Sequence, residues 1–90
     1  MSNPKREALL SKIEEWHEND MHNEILKEID KIPREFWDYK LTCLYARALN
    51  NNKEYEEALD HLMNVKTQGR SDAFWHFRAG YSLYYLGEEE

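Results

Sequence analysis

The side chains of this chain that could do chemistry are few, and their spacing does not suit it. His17-Glu18-Asn19-Asp20-Met21-His22 has the composition of a zinc-protease motif. That motif needs its two histidines four apart, so that both imidazoles face one side of a helix. Here they are five apart, and the intervening Asn19-Asp20 is a turn-forming pair. Structural zinc normally takes four organised ligands, so no metal is expected, and no cofactor of any other kind. His61 and His76 stand singly on helical stretches, where they are expected to face solvent or pack at an edge. Cys43 is the only cysteine; it cannot form an intrachain disulfide and reads as a small buried hydrophobe in a reducing, cytoplasmic setting. The chain contains no Gly-rich phosphate loop, no G-x-S-x-G turn and no paired Cys motif. Nothing sets Ser, Cys or His at nucleophile-and-base spacing, so the chain is not expected to be an enzyme.

If the chain does no chemistry, the question becomes what surface its elements hold up. Ninety residues allow one small domain. Hydrophobic residues make up 41 % of the chain, aromatics 13 % and charged residues 33 %. That composition, rich in strong helix formers, points to an all-helical protein rather than a disordered one. The net charge of −6 comes from 18 acidic against 12 basic residues, and the basic ones are scattered. Nucleic acid is therefore not an expected partner. The N-terminal Met-Ser-Asn-Pro-Lys-Arg-Glu leads into a charged helix rather than a signal peptide, and no apolar run approaches the roughly 20 residues of a membrane span. No membrane role is expected either.

Five helices are predicted. Ser2 or Asn3 before Pro4, with Glu7 in the first turn, starts a helix to about His17 whose apolar stripe is Leu9, Leu10, Ile13 and Trp16. Asn19-Asp20 supplies a turn and cap, and Ile25, Leu26, Ile29 and Ile32 mark a second helix stopped by Pro33, antiparallel to the first. Glu35 to Asn50 carries Phe36, Trp37, Leu41, Leu44, Tyr45, Ala48 and Leu49, too many apolar positions for a one-sided surface helix, and is predicted to be central. Tyr55, Ala58, Leu59, Leu62 and Val65 form a fourth stripe, and residues 68–72 a loop in which Ser71 or Asp72 caps a fifth helix, Ala73 to Leu86, ended by Gly87. Gly80 lies inside that helix at a cost of about 0.8–1 kcal/mol relative to Ala, which predicts close approach of a neighbouring helix there.

Segments 39–49 and 73–83 line up at a separation of 34 residues, with Ala46 over Gly80 and Leu49 over Leu83. On these residues the chain resembles the tetratricopeptide repeat (TPR), a 34-residue helix-turn-helix unit. A repeat begun at Tyr39 puts Ala46 eighth, Leu49 eleventh, Tyr55 seventeenth, Ala58 twentieth, Leu62 twenty-fourth and Val65 twenty-seventh. Lys53-Glu54-Tyr55-Glu56-Glu57-Ala58-Leu59 is similar to the family's inter-helix turn. The N-terminal stretch follows more loosely: Ile13 and Ile25 are larger than the family's small residues, Thr42 and His76 replace large apolar ones, and Arg70 replaces the customary proline. The resemblance implies antiparallel helix pairs in a right-handed superhelical array. Residues 4–33 make a divergent repeat, 35–68 a full one and 72–90 the first half of a third, all within one domain expected to belong to a longer protein.

The family also implies a non-enzymatic protein-interaction scaffold that binds a peptide or protein segment on the concave face lined by the first helix of each repeat. By that register the face carries Lys40, Cys43, Arg47 and Asn50, then Phe74, Phe77, Tyr81 and Tyr84. Lys40 or Arg47 would take an acidic group and the rings an apolar side chain. The carboxylate clamp of chaperone-binding members is not reproduced, because its positions are Cys43, Arg47, Phe77 and Tyr81 here. Three other readings stay open. The aromatic face of the fifth helix could pack against a sixth helix in a longer chain, it could pair with its counterpart in a homodimer, or Trp37, Trp75 and the histidines could enclose a polar small-molecule pocket. Acidic residues such as Glu54, Glu56, Glu57, Asp60 and Glu88 to Glu90 read as solvated surface.

Overall fold

The computed structural model describes residues 3–87. They form an all-α array: α1 (Pro4–Glu18), α2 (His22–Asp30), a 3-10 turn (Arg34–Phe36), α3 (Tyr39–Asn51), α4 (Tyr55–Asn64), a one-turn α5 (Lys66–Gly69) and α6 (Ala73–Leu86). Ser2 and Glu88 to Glu90, for which a helix cap and the end of a half-repeat are expected, lie outside the described residues. Contacts run between chain neighbours, α1 on α2, α2 on α3, α3 on α4 and α4 on α6, with α6 also returning to α3. The extents of 42 × 28 × 21 Å are those of a stack extended along one axis.

Local chemistry sets the helix ends. Asn3 accepts the Lys5 and Arg6 amide N–H groups at 2.9 and 3.3 Å, with Pro4 in the first turn. Asn19-Asp20 makes the expected turn, Asp20 taking a left-handed φ of 58°, but the residue ahead of α2 is Met21 and no side chain caps that helix. Asp38 accepts the Leu41 N–H at 2.9 Å and so starts α3 four residues later than the apolar count predicts. Phe36 is thereby left out of the core, 68 % exposed on the 3-10 turn. Trp37 is half-buried; its indole N–H donates to the Ile32 carbonyl at 2.8 Å and its ring packs on Tyr45. Asp72, rather than Ser71, caps α6 through the Phe74 N–H at 3.0 Å, and Gly87 ends it with a φ of 76°.

α3 is the centre. Nine of its residues are buried, from Leu41 to Ala46 and from Ala48 to Asn50, whereas α1 buries only Ile13. Each fully covered aliphatic side chain contributes about 1.5–3 kcal/mol, so α1 is held far more weakly than α3. Ile13 and Ile25, the large residues that depart from the repeat pattern, are both fully buried.

The glycines correct one expectation and supply its counterpart. A Cβ on Gly80 would meet nothing within 4 Å, so no helix approaches there, although Ala46, its equivalent one repeat earlier, is completely buried. Close approach occurs instead at Gly69, which ends the short α5 that falls where a loop is expected. A Cβ there would run into the Trp75 indole, itself fixed by an N–H donated to the Leu62 carbonyl at 2.8 Å. The same substitution should therefore have opposite signs at the two sites. In urea unfolding of dilute protein, Gly69→Ala is expected to cost about 1–3 kcal/mol by overpacking, and Gly80→Ala to gain up to about 0.8–1 kcal/mol through helix propensity.

Candidate peptide-binding groove

α3 and α6 lie side by side because polar side chains join them at both ends. Near the start of α3 the Tyr39 hydroxyl donates to the Asp72 carboxylate at 2.6 Å. Near its end Asn50, only 4 % exposed, donates from Nδ2 to the Arg78 carbonyl at 3.2 Å and accepts the Ser82 hydroxyl at 2.7 Å. Between the joints runs a groove with two depressions. Tyr39, Lys40, Cys43, Leu44, Asp72, Phe74 and Arg78 line the first, of about 130 Å³. Asn50, Asn51, Phe77, Arg78 and Tyr81 line the second, of about 50 Å³.

Six of the eight residues predicted for the concave face thus border the groove: Lys40, Cys43, Asn50, Phe74, Phe77 and Tyr81. Asn50 does so as a joint, with its amide engaged on both sides. Arg47 is elsewhere, in a two-pronged ion pair with Glu14 of α1 at 3.1 and 3.4 Å. Tyr84 is 62 % exposed and lines neither depression. Arg78, which the repeat register does not place on the concave face, borders both depressions and carries the only lysine or arginine charge in α6. Its guanidinium lies over the Phe74 ring, 5.6 Å from the centroid, and among the described residues no carboxylate oxygen comes within 4.0 Å of it. The available signal was a single cation in an otherwise apolar stripe.

The titratable groups around the groove are held in fixed states. The hydrogen bond from Tyr39 keeps the Asp72 carboxyl below its ordinary range. Burial, reinforced by that bond, pushes the Tyr39 hydroxyl up. Burial also raises the Cys43 thiol, so it lines the groove as a neutral, unreactive group.

The remaining candidates resolve into packing. His17 and His22 meet edge to face at 5.8 Å, each with Nδ1 buried and without a hydrogen-bond partner among the described residues. The described residues contain no cluster of three or more His, Cys, Asp or Glu able to hold a metal ion. His61, expected near solvent, is buried between Tyr45 and Trp37 at centroid distances of 5.1 and 5.8 Å. His76 is exposed, its Nε2 2.8 Å from the Arg70 carbonyl. Trp37 and Trp75 pack in separate places with their indole N–H groups engaged by Ile32 and Leu62, so they do not enclose a shared polar pocket. No described helix is long and apolar enough to cross a membrane. Comparison of the chain with protein-family models, with curated proteins and with solved structures finds no match.

Two of these histidines make stability depend on pH. Burial lowers the pKa of His17, helped by the nearby Arg47; burial also lowers that of His61, helped by Arg34 and opposed by Glu57, Asp60 and Asp30. The unfolded chain, whose histidines titrate near 6.5, then binds more protons than the folded one, so stability is complete above about pH 6.5 and drains as pH falls toward the folded values. The melting temperature is expected to fall from about pH 7 to about pH 5, before the carboxylates titrate. His61→Phe should flatten part of that slope.

Proposed function

We propose that the chain is a non-enzymatic interaction module whose α3/α6 groove holds a short segment of another protein, one that offers a carboxylate beside an apolar side chain. The observation that carries this reading is Arg78. It is a partly exposed cation laid against an aromatic ring, between two depressions, in a chain whose net charge is −6. A guanidinium flanked by rings and free of a carboxylate partner suits an acidic group on a partner, and Arg and aromatic residues are the commonest anchors of binding surfaces. Lys40 stands in the same depression as a second cation, while Phe74, Phe77 and Tyr81 supply apolar walls. The TPR resemblance supports the same use of this face, and the single, buried, unpaired Cys43 supports a cytoplasmic setting.

Arg47 has a different part. Joining Glu14 to α3, it fastens α1 and is not offered to a ligand.

Fluorescence anisotropy with labelled peptides that alternate Glu or Asp with Leu or Phe, against Lys-substituted counterparts, tests the proposal. The acidic set is expected to bind preferentially, with affinity falling as salt rises. Arg78→Ala should weaken that binding about ten-fold or more with helicity unchanged by circular dichroism. Equal binding of both peptide sets, or an Arg78→Ala, Lys40→Ala protein that binds as tightly as the parent, would remove the basis for the reading.

A further inference from the structure

Of the six aromatic side chains on α6, Trp75 is in the core, while Tyr81 and Tyr85 pack on Tyr55 of α4 at centroid distances of 6.2 and 4.8 Å. Phe77 and Tyr84 remain 68 and 62 % exposed. With Ala73 and Gly80 they make one stripe, at helical offsets of four, three and four residues, and all four are exposed. The positions 34 residues before Phe77, Gly80 and Tyr84 are Cys43, Ala46 and Asn50 of α3, and all three are buried. On α3 the same helical face is therefore covered, with α6 meeting it at Asn50, and on α6 it is not.

The order of sizes along the stripe identifies a covering helix that fits. It runs small, large, small, large: Ala73, Phe77, Gly80, Tyr84. Two such stripes laid antiparallel bring Phe77 opposite Gly80 and Ala73 opposite Tyr84, so every ring meets a small residue of the other helix, as knobs-into-holes packing requires. Laid parallel, the rings would oppose rings and the small residues would oppose gaps. The stripe carries no charge, whereas the other long helices present carboxylates on their exposed surfaces, so a net charge of −6 on each chain does not oppose contact here.

We infer that α6 pairs with α6 of a second copy of this chain in an antiparallel, two-fold dimer in which Phe77 of each protomer seats over Gly80 of its partner. At about 150–250 Å² per aromatic side chain, the exposed portions of Phe77 and Tyr84 leave roughly 260 Å² open on each chain. The two stripes together then bury roughly 500 Å², the size of a weak, transient contact, so the dimer is reversible and forms at high loading. It also explains a glycine in mid-helix at a place where the isolated chain has room for a side chain.

The test is light scattering on a size-exclusion column, with sedimentation equilibrium, on the full chain over loadings from low micromolar upward. The parent is expected to move from monomer mass to twice that mass as loading rises. Gly80→Gln has open space in the monomer and should not lower the melting temperature in dilute solution, yet it should raise the dissociation constant about ten-fold or more by filling the hole. The swap Phe77→Ala with Gly80→Phe again sets large against small and should recover dimer relative to Gly80→Gln. A parent that stays monomeric at every loading overturns the inference and leaves the stripe to a different occupant, another protein or a further segment of a longer chain. So does a dimer indifferent to Gly80→Gln, or a swap no tighter than Gly80→Gln. Phe77 borders the groove as well as the stripe, so peptide and dimer are expected to compete. Arg78 lies off the stripe, so Arg78→Ala should leave the dimer intact, which separates failure here from failure of the groove proposal.

Discussion

The buried amide of Asn50 is the constraint on which the rest of the arrangement depends. Withdrawn from water, it must find partners on both its nitrogen and its oxygen, because a buried amide left unpaired costs on the order of 1–3 kcal/mol. Only α6 offers both, the Arg78 carbonyl and the Ser82 hydroxyl one turn apart. Satisfying them sets the rotation of α6 about its own axis. Trp75 and Ala79 then turn inward, Arg78 and Phe74 come to face Lys40 across the groove, and Ala73, Phe77, Gly80 and Tyr84 turn outward. A polar contact inside the stack thus sets the groove and the outer stripe together.

Charge is divided in the same geometric way. The exposed sides of α1, α2 and α4 carry most of the described carboxylates, while Arg78 and Lys40 line the groove and Arg47, away from it, pairs with Glu14 of α1. A protein acidic as a whole can therefore present two cations, Lys40 and Arg78, beside the single carboxylate of Asp72, since at physiological salt exposed charges farther away than about 8 Å are largely screened from them.

How much of this could be read from the residues varies with the range of the interaction. The 3.6-residue stripes located the helices and the central place of α3, and Pro4, Asp72 and Gly87 marked ends by chemistry acting within a few residues. Phe36 and Trp37 misled because apolar content does not show where a cap begins a helix; Asp38 decided that. The role of Gly80 was misread because a mid-helix glycine signals either close approach or open space, and only the position of other helices distinguishes them. The fates of Arg47 and Asn50 depend on Glu14 and Ser82, which lie 33 and 32 residues away in sequence. Such pairings leave no local trace.

α1 and α3 differ sharply in how much of each the stack covers, since α1 buries only Ile13 and α3 buries nine residues. Local openings start where few buried apolar contacts hold an element. The amides of α1 will then exchange with solvent deuterium through partial openings that leave α3 closed, and each such opening separates Glu14 from Arg47 while the core of the array stays in register.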